Sequence, residues 1–101
     1  MNLRLESKNI RIRLTDKEWR LLLERSLLEH EIDLGFSKSL RIFLRLSDKN
    51  EYQLDNFDMS LLINRELLRK PEKKKDPYWG YESADGVAVS LDVDIIPEER
   101  R

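Results

Sequence analysis

The side chains with the clearest chemical potential are the cations near the N-terminus. Four basic side chains stand against one acid within the first fifteen residues: Arg4, Lys8, Arg11 and Arg13 against Glu6. Residues 76–101 show the opposite balance, with two basic and seven acidic side chains, although the whole chain has a formal net charge of -1. Basic charge gathered at one end of a chain is typical of nucleic-acid binding at that end.

Other kinds of chemistry have few residues to serve them. The chain has no cysteine and one histidine, His30, which excludes disulfides, thiolate metal sites and cysteine nucleophiles. The sequence offers no carboxylate pair suited to a pocket, no nucleophile with a base and no glycine-rich phosphate loop. We therefore expect no enzyme activity, no metal site and no cofactor.

Length and composition indicate the class of protein. At 101 residues the chain is long enough for one domain with an appendage. Charged residues make up 39% of it, well above the roughly 25% of an average globular protein, so it exposes much surface or is completed by a partner. No apolar run approaches a membrane span or the core of a signal peptide. We expect a cytoplasmic protein with no membrane partner.

The elements that would position the cations begin with a short strand. Apolar and polar side chains alternate strictly over residues 8–14, which predicts a half-buried strand. Its apolar face is Ile10, Ile12 and Leu14, and its polar face is Asn9, Arg11 and Arg13. Leu3 and Leu5 have the opposite parity, so residues 1–7 are interpreted as a flexible basic arm.

A helix is predicted directly after this strand. Thr15 and Glu18 have the spacing of a capping box, and the apolar positions that follow recur at helical intervals. We expect the helix to cover residues 16–31. Its apolar stripe is wider than a lone helix in a small monomer covers easily, which suggests a second chain.

Two further helices are predicted in the middle of the chain. A turn at Gly35 leads to a helix over 38–46, which Ser37 caps and which is apolar nearly all round. A third helix is expected over 55–69, followed by a basic linker that contains residues 73–75.

The C-terminal part shows a strand pattern. Apolar residues occupy every second position from Val87 to Ile95, which predicts a strand. Asp85 and Gly86 form a hairpin turn signal, so residues 78–82 are expected to pair with this strand. No internal repeat is evident.

Two segments, IRIRLTDKEW from Ile10 and GFSKSLRIFL from Gly35, carry a family resemblance. The second contains Ser37, Leu40, Arg41 and Leu44 at the spacing Ser, aliphatic, Arg, aliphatic. With the order strand, helix, turn, helix, the chain resembles the ribbon-helix-helix family of DNA-binding proteins, the repressors of the Arc, MetJ and CopG kind. The resemblance implies a ribbon-helix-helix homodimer. Together with the elements predicted above, the expected chain is mainly α with a short N-terminal β-strand, a third helix and a C-terminal β-hairpin or extended strand.

The resemblance also implies a DNA site. A ribbon made by the strands of two copies would enter the major groove, where Asn9, Arg11 and Arg13 would contact bases. Residues around the start of the second helix would hold phosphates. The implied phosphate contacts are Lys8, Ser37, Lys38 and Ser39, and the implied dimer core is Ile10, Ile12, Leu14, Trp19, Leu22, Leu23, Leu40, Phe43 and Leu44.

The predicted organisation has four consecutive segments: the arm 1–7, a DNA-binding and dimerisation domain 8–47, a third helix with basic linker 48–75, and an acidic, aromatic tail with a strand 76–101. The predicted function is sequence-specific binding of double-stranded DNA by a homodimer, with higher-order assembly on DNA left open. The role is that of a transcriptional repressor or an antitoxin.

A function of a different class stays open. In it the chain is a protein-interaction module or small complex subunit, such as an inhibitor or an accessory factor in plasmid mobilisation or maintenance, acting through its acidic C-terminal strand. In both hypotheses the tail offers a surface to a protein partner, a toxin or another protein, because aromatic anchors beside an unpaired strand suit β-augmentation. The tail residues in question are Tyr78, Trp79, Tyr81, Val89, Leu91 and Val93.

Overall fold

Strands dominate the secondary structure. The computed structural model describes residues 1–68 and 77–94, and of these residues 63% lie in strands and 15% in helical segments. The prediction of a mainly α chain is therefore wrong. In chain order the elements are β1 (Asn2–Glu6), β2 (Asn9–Thr15), α1 (Asp16–Arg25), β3 (Leu27–Gly35), β4 (Lys38–Ser47), β5 (Glu51–Asp55), β6 (Asp58–Asn64), a short 3-10 turn (Arg65–Leu67), β7 (Trp79–Glu82) and β8 (Ala88–Asp94).

The strands form two four-stranded sheets with the same connections. Sheet 1 has the strand order β1-β2-β8-β7, and sheet 2 has the order β3-β4-β6-β5. Each sheet consists of two antiparallel hairpins whose second strands lie side by side in parallel. Both sheets are therefore mixed, with one parallel pair at the centre.

The chain divides into two compact units that correspond to the two sheets. Unit 1 contains residues 1–20 and the described residues from 68 to 94, and unit 2 contains residues 21–67. Unit 2 is thus inserted in sequence between the two hairpins of unit 1. This division differs from the four consecutive segments predicted above.

The registers of the central pairs show an internal repeat. Ile10, Ile12 and Leu14 of β2 pair with Val89, Leu91 and Val93, just as Ile42, Leu44 and Leu46 of β4 pair with Met59, Leu61 and Ile63. Without a gap, NIRIRLTDK from Asn9 aligns with RIFLRLSDK from Arg41. The repeat was not found in the sequence because the two copies sit in different surroundings, one before a helix and one before a turn.

Each sheet buries one face, here called its inner face, and exposes the other, its outer face. Burial alternates along β2, β4 and β6, as a strand with one apolar side requires. A fully buried Leu or Ile side chain contributes about 1.5–3 kcal/mol, so these central strands carry most of the stability. The buried side chains on them are Ile10, Ile12, Leu14, Ile42, Leu44, Leu46, Met59, Leu61, Ile63, Val89 and Leu91.

Three local predictions are confirmed. The strand at residues 9–15 exists with the predicted parity, and β7 and β8 pair as a hairpin around the turn that contains Gly86. The capping box also forms, because the Thr15 amide donates to Glu18 Oε1 at 2.9 Å and the Glu18 amide donates to Thr15 Oγ1 at 3.1 Å. Partial burial would raise the pKa of Glu18, but hydrogen bonds from the N-terminal ammonium and from Thr15 lower it overall.

The predicted helices are wrong beyond residue 25. The helix expected over 16–31 ends at Arg25, because Ser26 takes a left-handed φ of 61° and the chain turns into β3. The segment 38–46 is β4, not a helix. The segment 55–69 holds the end of β5, then β6 and the short 3-10 turn, not a third helix. Period-two burial of Leu, Ile and Met side chains in paired strands outweighs the helical spacing that the same residues also satisfy.

The N-terminal arm and the intermolecular ribbon are also corrected. Residues 2–6 form β1, which pairs with β2 on one side, and β8 pairs with β2 on the other. With both edges occupied, β2 cannot pair with a second copy of itself. The tail strand β8 is likewise flanked on both sides, by β2 and β7, and is not free for β-augmentation. The predicted linker residues 73–75 and Ile95 lie outside the described residues.

Within the described part of the chain, no helix is long and apolar enough to cross a membrane.

Candidate functional site

The residues predicted to contact DNA bases lie together on the outer face of sheet 1. Asn9, Arg11 and Arg13 are all exposed on β2. Arg11 lies directly opposite Arg4 of β1, and neither Arg11 nor Arg13 makes an ion pair with any described residue. Lys8 lies in the β1–β2 turn with a φ of 57°.

The other predicted phosphate contacts do not form a helix N-terminus. Ser37 lies in the two-residue β3–β4 turn with a φ of 58°, and Lys38 and Ser39 begin β4. The Lys38 Nζ lies 5.9 Å from the centre of the Phe57 ring. The free amide groups and dipole that a helix start would offer to a phosphate are therefore absent here.

The predicted dimer core belongs mostly to the interior of a single chain. Ile10, Ile12, Leu14, Leu22 and Leu44 are buried, and Trp19, Leu40 and Phe43 are half-buried, whereas Leu23 is exposed.

The predicted partner-binding tail is likewise interior. Tyr78, Trp79, Val89 and Leu91 are buried, and Tyr81 and Val93 are half-buried. Tyr78 packs edge-on against Trp19 with ring centres 5.1 Å apart, and its burial, together with the negative charge of Asp16, raises its pKa. These side chains pack in the interior of unit 1 and do not present a surface to a partner.

The outer face of sheet 2 holds a shallow depression, here called the sheet 2 pocket. It has a volume of about 380 Å³, which falls in the range of ligand and side-chain binding sites. Its lining residues come from β4, β5 and β6: Phe43, Arg45, Glu51, Gln53, Ser60, Leu61 and Leu62. The pairing of β4 with β6 and of β6 with β5 places Phe43 beside Ser60 and Ser60 beside Gln53.

An ion pair lies next to the pocket, beside Phe43. The Arg41 Nε donates to Asp58 Oδ1 at 2.9 Å, and its Nη2 donates to Asp58 Oδ2 at 3.1 Å. This two-point contact raises the pKa of Arg41. The guanidinium carbon of Arg41 lies 6.0 Å from the centre of the Phe43 ring. The paired arginine therefore covers one side of Phe43 and restrains its ring.

The other arginine of the pocket has no such partner. Arg45 is exposed and makes no hydrogen bond or ion pair within residues 1–68 and 77–94. Its Cα neighbours across the sheet are Leu27 of β3 and Leu62 of β6, both half-buried. The nearest acid of the lining, Glu51, accepts from Gln53 and pairs with Lys49 at 3.7 Å. The pocket thus combines a free guanidinium with an apolar floor.

The internal repeat shows which pocket residues of sheet 2 are replaced by residues of a different kind at the corresponding positions of sheet 1. By register, Phe43, Arg45 and Leu62 correspond to Arg11, Arg13 and Asp92 of sheet 1, and Gln53 corresponds to Gly80. The arginine is common to both sheets, whereas the aromatic ring and the apolar residue are replaced by charged ones in sheet 1. Only sheet 2, of the two described sheets, offers an apolar floor on its outer face.

Comparison of the chain with protein-family models, curated proteins and solved structures gave no match. The site must be interpreted from its own geometry.

The site is suited to binding. Among the described residues, no group of three or more histidine and acidic side chains lies close enough to hold a metal ion. Among the side chains that line the pocket, Gln53 donates to Glu51 and Glu51 pairs with Lys49, so the groups without a partner among the described residues are the Arg45 guanidinium, the Ser60 hydroxyl and apolar surface.

Sequence reasoning missed this site almost entirely. Of the residues that line the pocket, only Phe43 is among the predicted site residues, and its predicted role is in the dimer core. The signal that could have found it is the alternation in 41–47 and 58–64, which resembles that of residues 9–15.

Proposed function

We propose that the protein is a protein-interaction module, and that the sheet 2 pocket takes an apolar side chain of a partner protein together with a neighbouring carboxylate. The observation that carries the proposal is the Arg45 guanidinium beside Phe43 and Leu62, which has no hydrogen bond or ion pair with any described residue. Aromatic and arginine side chains in a depression are the groups that dominate binding energy at protein interfaces. An exposed cation next to an apolar surface favours a partner with the complementary pair of groups.

The surface of interaction differs from the one expected from the sequence. The acidic C-terminal strand was expected to bind the partner, but β8 lies inside sheet 1 and its apolar side chains are interior. Sheet 2 instead offers a half-exposed ring held on one side by Arg41 and Asp58. Because this ring is restrained before binding, little conformational entropy is lost when a partner docks.

The proposal can be tested with short peptides and amide chemical shifts. The probes are acetyl-Asp-Gly-Phe-amide and acetyl-Lys-Gly-Phe-amide, which share the ring and differ in charge. We expect the aspartate peptide to shift the amides of residues 43–45 and 60–62 with millimolar affinity, and the lysine peptide to bind about 10-fold more weakly, a difference of roughly 1.4 kcal/mol.

The internal repeat supplies a matched control. Arg45→Gln is expected to bind both peptides equally, whereas Arg13→Gln, at the corresponding position of sheet 1, should keep the preference of the wild type. Absence of shifts with either peptide, or an unchanged preference in Arg45→Gln, would show that the pocket does not bind as proposed.

A second candidate function is supported by the outer face of sheet 1. Arg4 and Arg11 are directly opposite each other, and like charges in this arrangement destabilise a sheet. Arg4 pairs with Glu6 at 3.4 Å, whereas Arg11 makes no ion pair with any described residue. With Lys8 and Arg13 they form a basic patch on β1 and β2 that suits nucleic-acid phosphates. Binding would then use a sheet face, because the paired ribbon is not available.

The second candidate predicts a salt-dependent affinity. The double variant Arg4→Gln/Arg11→Gln should bind a labelled duplex of about 20 base pairs more weakly, with a salt slope smaller by about 1–2. Lys17→Gln/Arg25→Gln removes the same charge from α1 and should behave like the wild type. If the fluorescence anisotropy of the labelled duplex does not rise when the wild-type protein is added at low salt, the protein is not a DNA-binding protein of this kind.

A further inference from the structure

Unit 2 carries an exposed apolar hairpin tip. The tip is defined here as the β3–β4 turn with the neighbouring end of the β5–β6 hairpin, and its apolar side chains are Leu34, Phe36, Leu54 and Phe57. Phe36 is 99% exposed, and the other three are 50%, 56% and 47% exposed. Both hairpin turns lie at the same end of sheet 2, because β4 and β6 run parallel and each begins after its turn. The corresponding turns of unit 1 contain Ser7 and Lys8 in one hairpin and Ala84, Asp85 and Gly86 in the other.

The backbone conformation at position 36 is unfavourable for a phenylalanine. Phe36 and Ser37 both lie in the left-handed region, with φ of 55° and 58°, in a two-residue turn where Asn and Gly are preferred. A bulky residue in this conformation is strained. Because the Phe36 ring is exposed, it contributes no burial that would offset the strain. A strained, solvent-exposed aromatic residue is therefore explained best by a contact outside the chain.

The tip offers the same chemistry that the sheet 2 pocket would take. Asp33 lies three residues before Phe36, and its Oδ1 accepts from the Gly35 amide at 2.9 Å, which holds the carboxylate close to the turn. An aromatic ring beside a carboxylate complements the pocket lined by Phe43, Leu62 and Arg45, whose guanidinium has no partner among the described residues.

We propose that two copies of the chain associate through unit 2, with Phe36 of each copy in the sheet 2 pocket of the other. The inference rests on the binding chemistry assigned to that pocket in the proposed function. The contact is isologous, since each copy contributes the same tip and the same pocket. A contact within one chain is not available, because Phe36 and Phe43 are seven residues apart along an extended hairpin, about 23 Å at 3.3 Å per residue.

The charges between tip and pocket suit a two-fold arrangement. The axis would pass near the midpoint of the outer face, where Arg41 and Asp58 form their ion pair. Asp33 beside the tip of each copy would lie against Arg45 in the pocket of the other, so both contacts bring together the same pair of opposite charges. By register, the other acidic residues of the outer face, Glu29 and Glu31 of β3 and Glu51 and Asp55 of β5, lie on its two edge strands.

The area of the outer face of sheet 2 indicates the size of the interface. Four strands about 4.8 Å apart and five to ten residues long give roughly 500 Å² per copy, or about 1000 Å² in total. This lies at the low end of specific interfaces. We therefore expect a reversible dimer with a dissociation constant of about 10–100 µM.

Sedimentation velocity on the full chain tests the proposal. The wild type should change from monomer to dimer between about 2 and 300 µM, while Phe36→Asn and Arg45→Glu should each stay monomeric. Arg13→Glu, at the corresponding position of sheet 1, should dimerise like the wild type. Circular dichroism of each variant verifies that the fold is retained.

Mixing the two monomeric variants gives the sharpest result. Phe36→Asn keeps its pocket and Arg45→Glu keeps its tip, so an equimolar mixture restores one of the two contacts. We expect the mixture to form more dimer at about 300 µM than either variant alone.

Three outcomes would overturn the proposal: a wild type that is monomeric throughout this range, a dimer that Phe36→Asn leaves unchanged, or a mixture that behaves like its components. These outcomes are separate from failure of the proposed function, which the peptide titration of the monomer decides.

Discussion

Replacement of Phe36 by asparagine should make the protein more stable, although it removes a large apolar side chain. The ring is 99% exposed, so the burial lost is about 1% of the roughly 3 kcal/mol that full burial of a Phe contributes. That is roughly 0.03 kcal/mol, which is negligible. The backbone strain removed is larger, because a left-handed conformation costs an ordinary L-residue about 1–2 kcal/mol and costs Asn less.

The expected net effect is an increase of about 1 kcal/mol in the free energy of unfolding, or roughly 4 °C in Tm for a chain of this size. The measurement is urea and thermal unfolding at about 2 µM, where the proposed dimer is dissociated. Phe57→Asn is the matched control. Phe57 lies in the neighbouring turn, is 47% exposed and does not have a left-handed φ, so the same substitution should lower the free energy of unfolding by about 1 kcal/mol. A Phe36→Asn variant that is less stable than the wild type would refute the reasoning.

Three further predictions concern the fold. Leu61→Ala and Leu91→Ala remove fully buried residues at corresponding positions of the two sheets, and each should lower the free energy of unfolding by about 2–5 kcal/mol in urea titrations. Thr15→Ala removes half of the capping box and should cost about 1 kcal/mol, whereas Thr15→Ser should cost little. Burial raises the pKa of Tyr52 and Tyr78 above 10.0. Because the folded state then holds these protons more tightly, stability should be unchanged below about pH 10 and fall as the pH rises through the raised pKa values, which tyrosinate absorbance and unfolding measured together would show.

Predictions from the sequence succeeded where the decisive interactions are local. The alternation of Ile10, Ile12 and Leu14 with polar residues has no competing helical interpretation, and β2 appears as predicted. The capping box needs only Thr15 and Glu18, three residues apart. The β7–β8 hairpin is specified by its own turn, where Gly86 supplies the left-handed φ of 82°.

The predictions were wrong where the same apolar residues fit both the helical period and the alternation of a strand. In β4 the apolar residues Leu40, Ile42, Phe43, Leu44 and Leu46 satisfy helical spacing as well as alternation, and their number favoured a helix that is apolar all round. The turn before β4 contains Phe36 and Ser37 in place of the Asn-Gly pair that marks a hairpin. Without that marker, residues 27–31 of β3 and residues 38–46 of β4 are predicted as helix.

The candidate site could not be predicted from the sequence for a related reason. Phe43 and Arg45 come from one hairpin of unit 2, and Glu51, Gln53 and Ser60 come from the other. They meet only through the parallel pairing of β4 with β6, and a parallel pair leaves no turn signal in the sequence. Two segments carry the resemblance to a ribbon-helix-helix chain: residues 10–19 are strand and helix as expected, whereas residues 35–44 are strand and turn and not a helix.

The insertion of unit 2 into unit 1 has a consequence for how the chain folds. The central pair of unit 2 joins Ile42 to Met59, 17 residues apart, whereas that of unit 1 joins Ile10 to Val89, 79 residues apart. Closing the longer loop costs about 1.4 kcal/mol more in chain entropy, and during synthesis β8 leaves the ribosome after the whole of unit 2. We expect unit 2 to form first, so that the β1–β2 hairpin is without its partner strand until unit 2 and the residues that follow it have been synthesised.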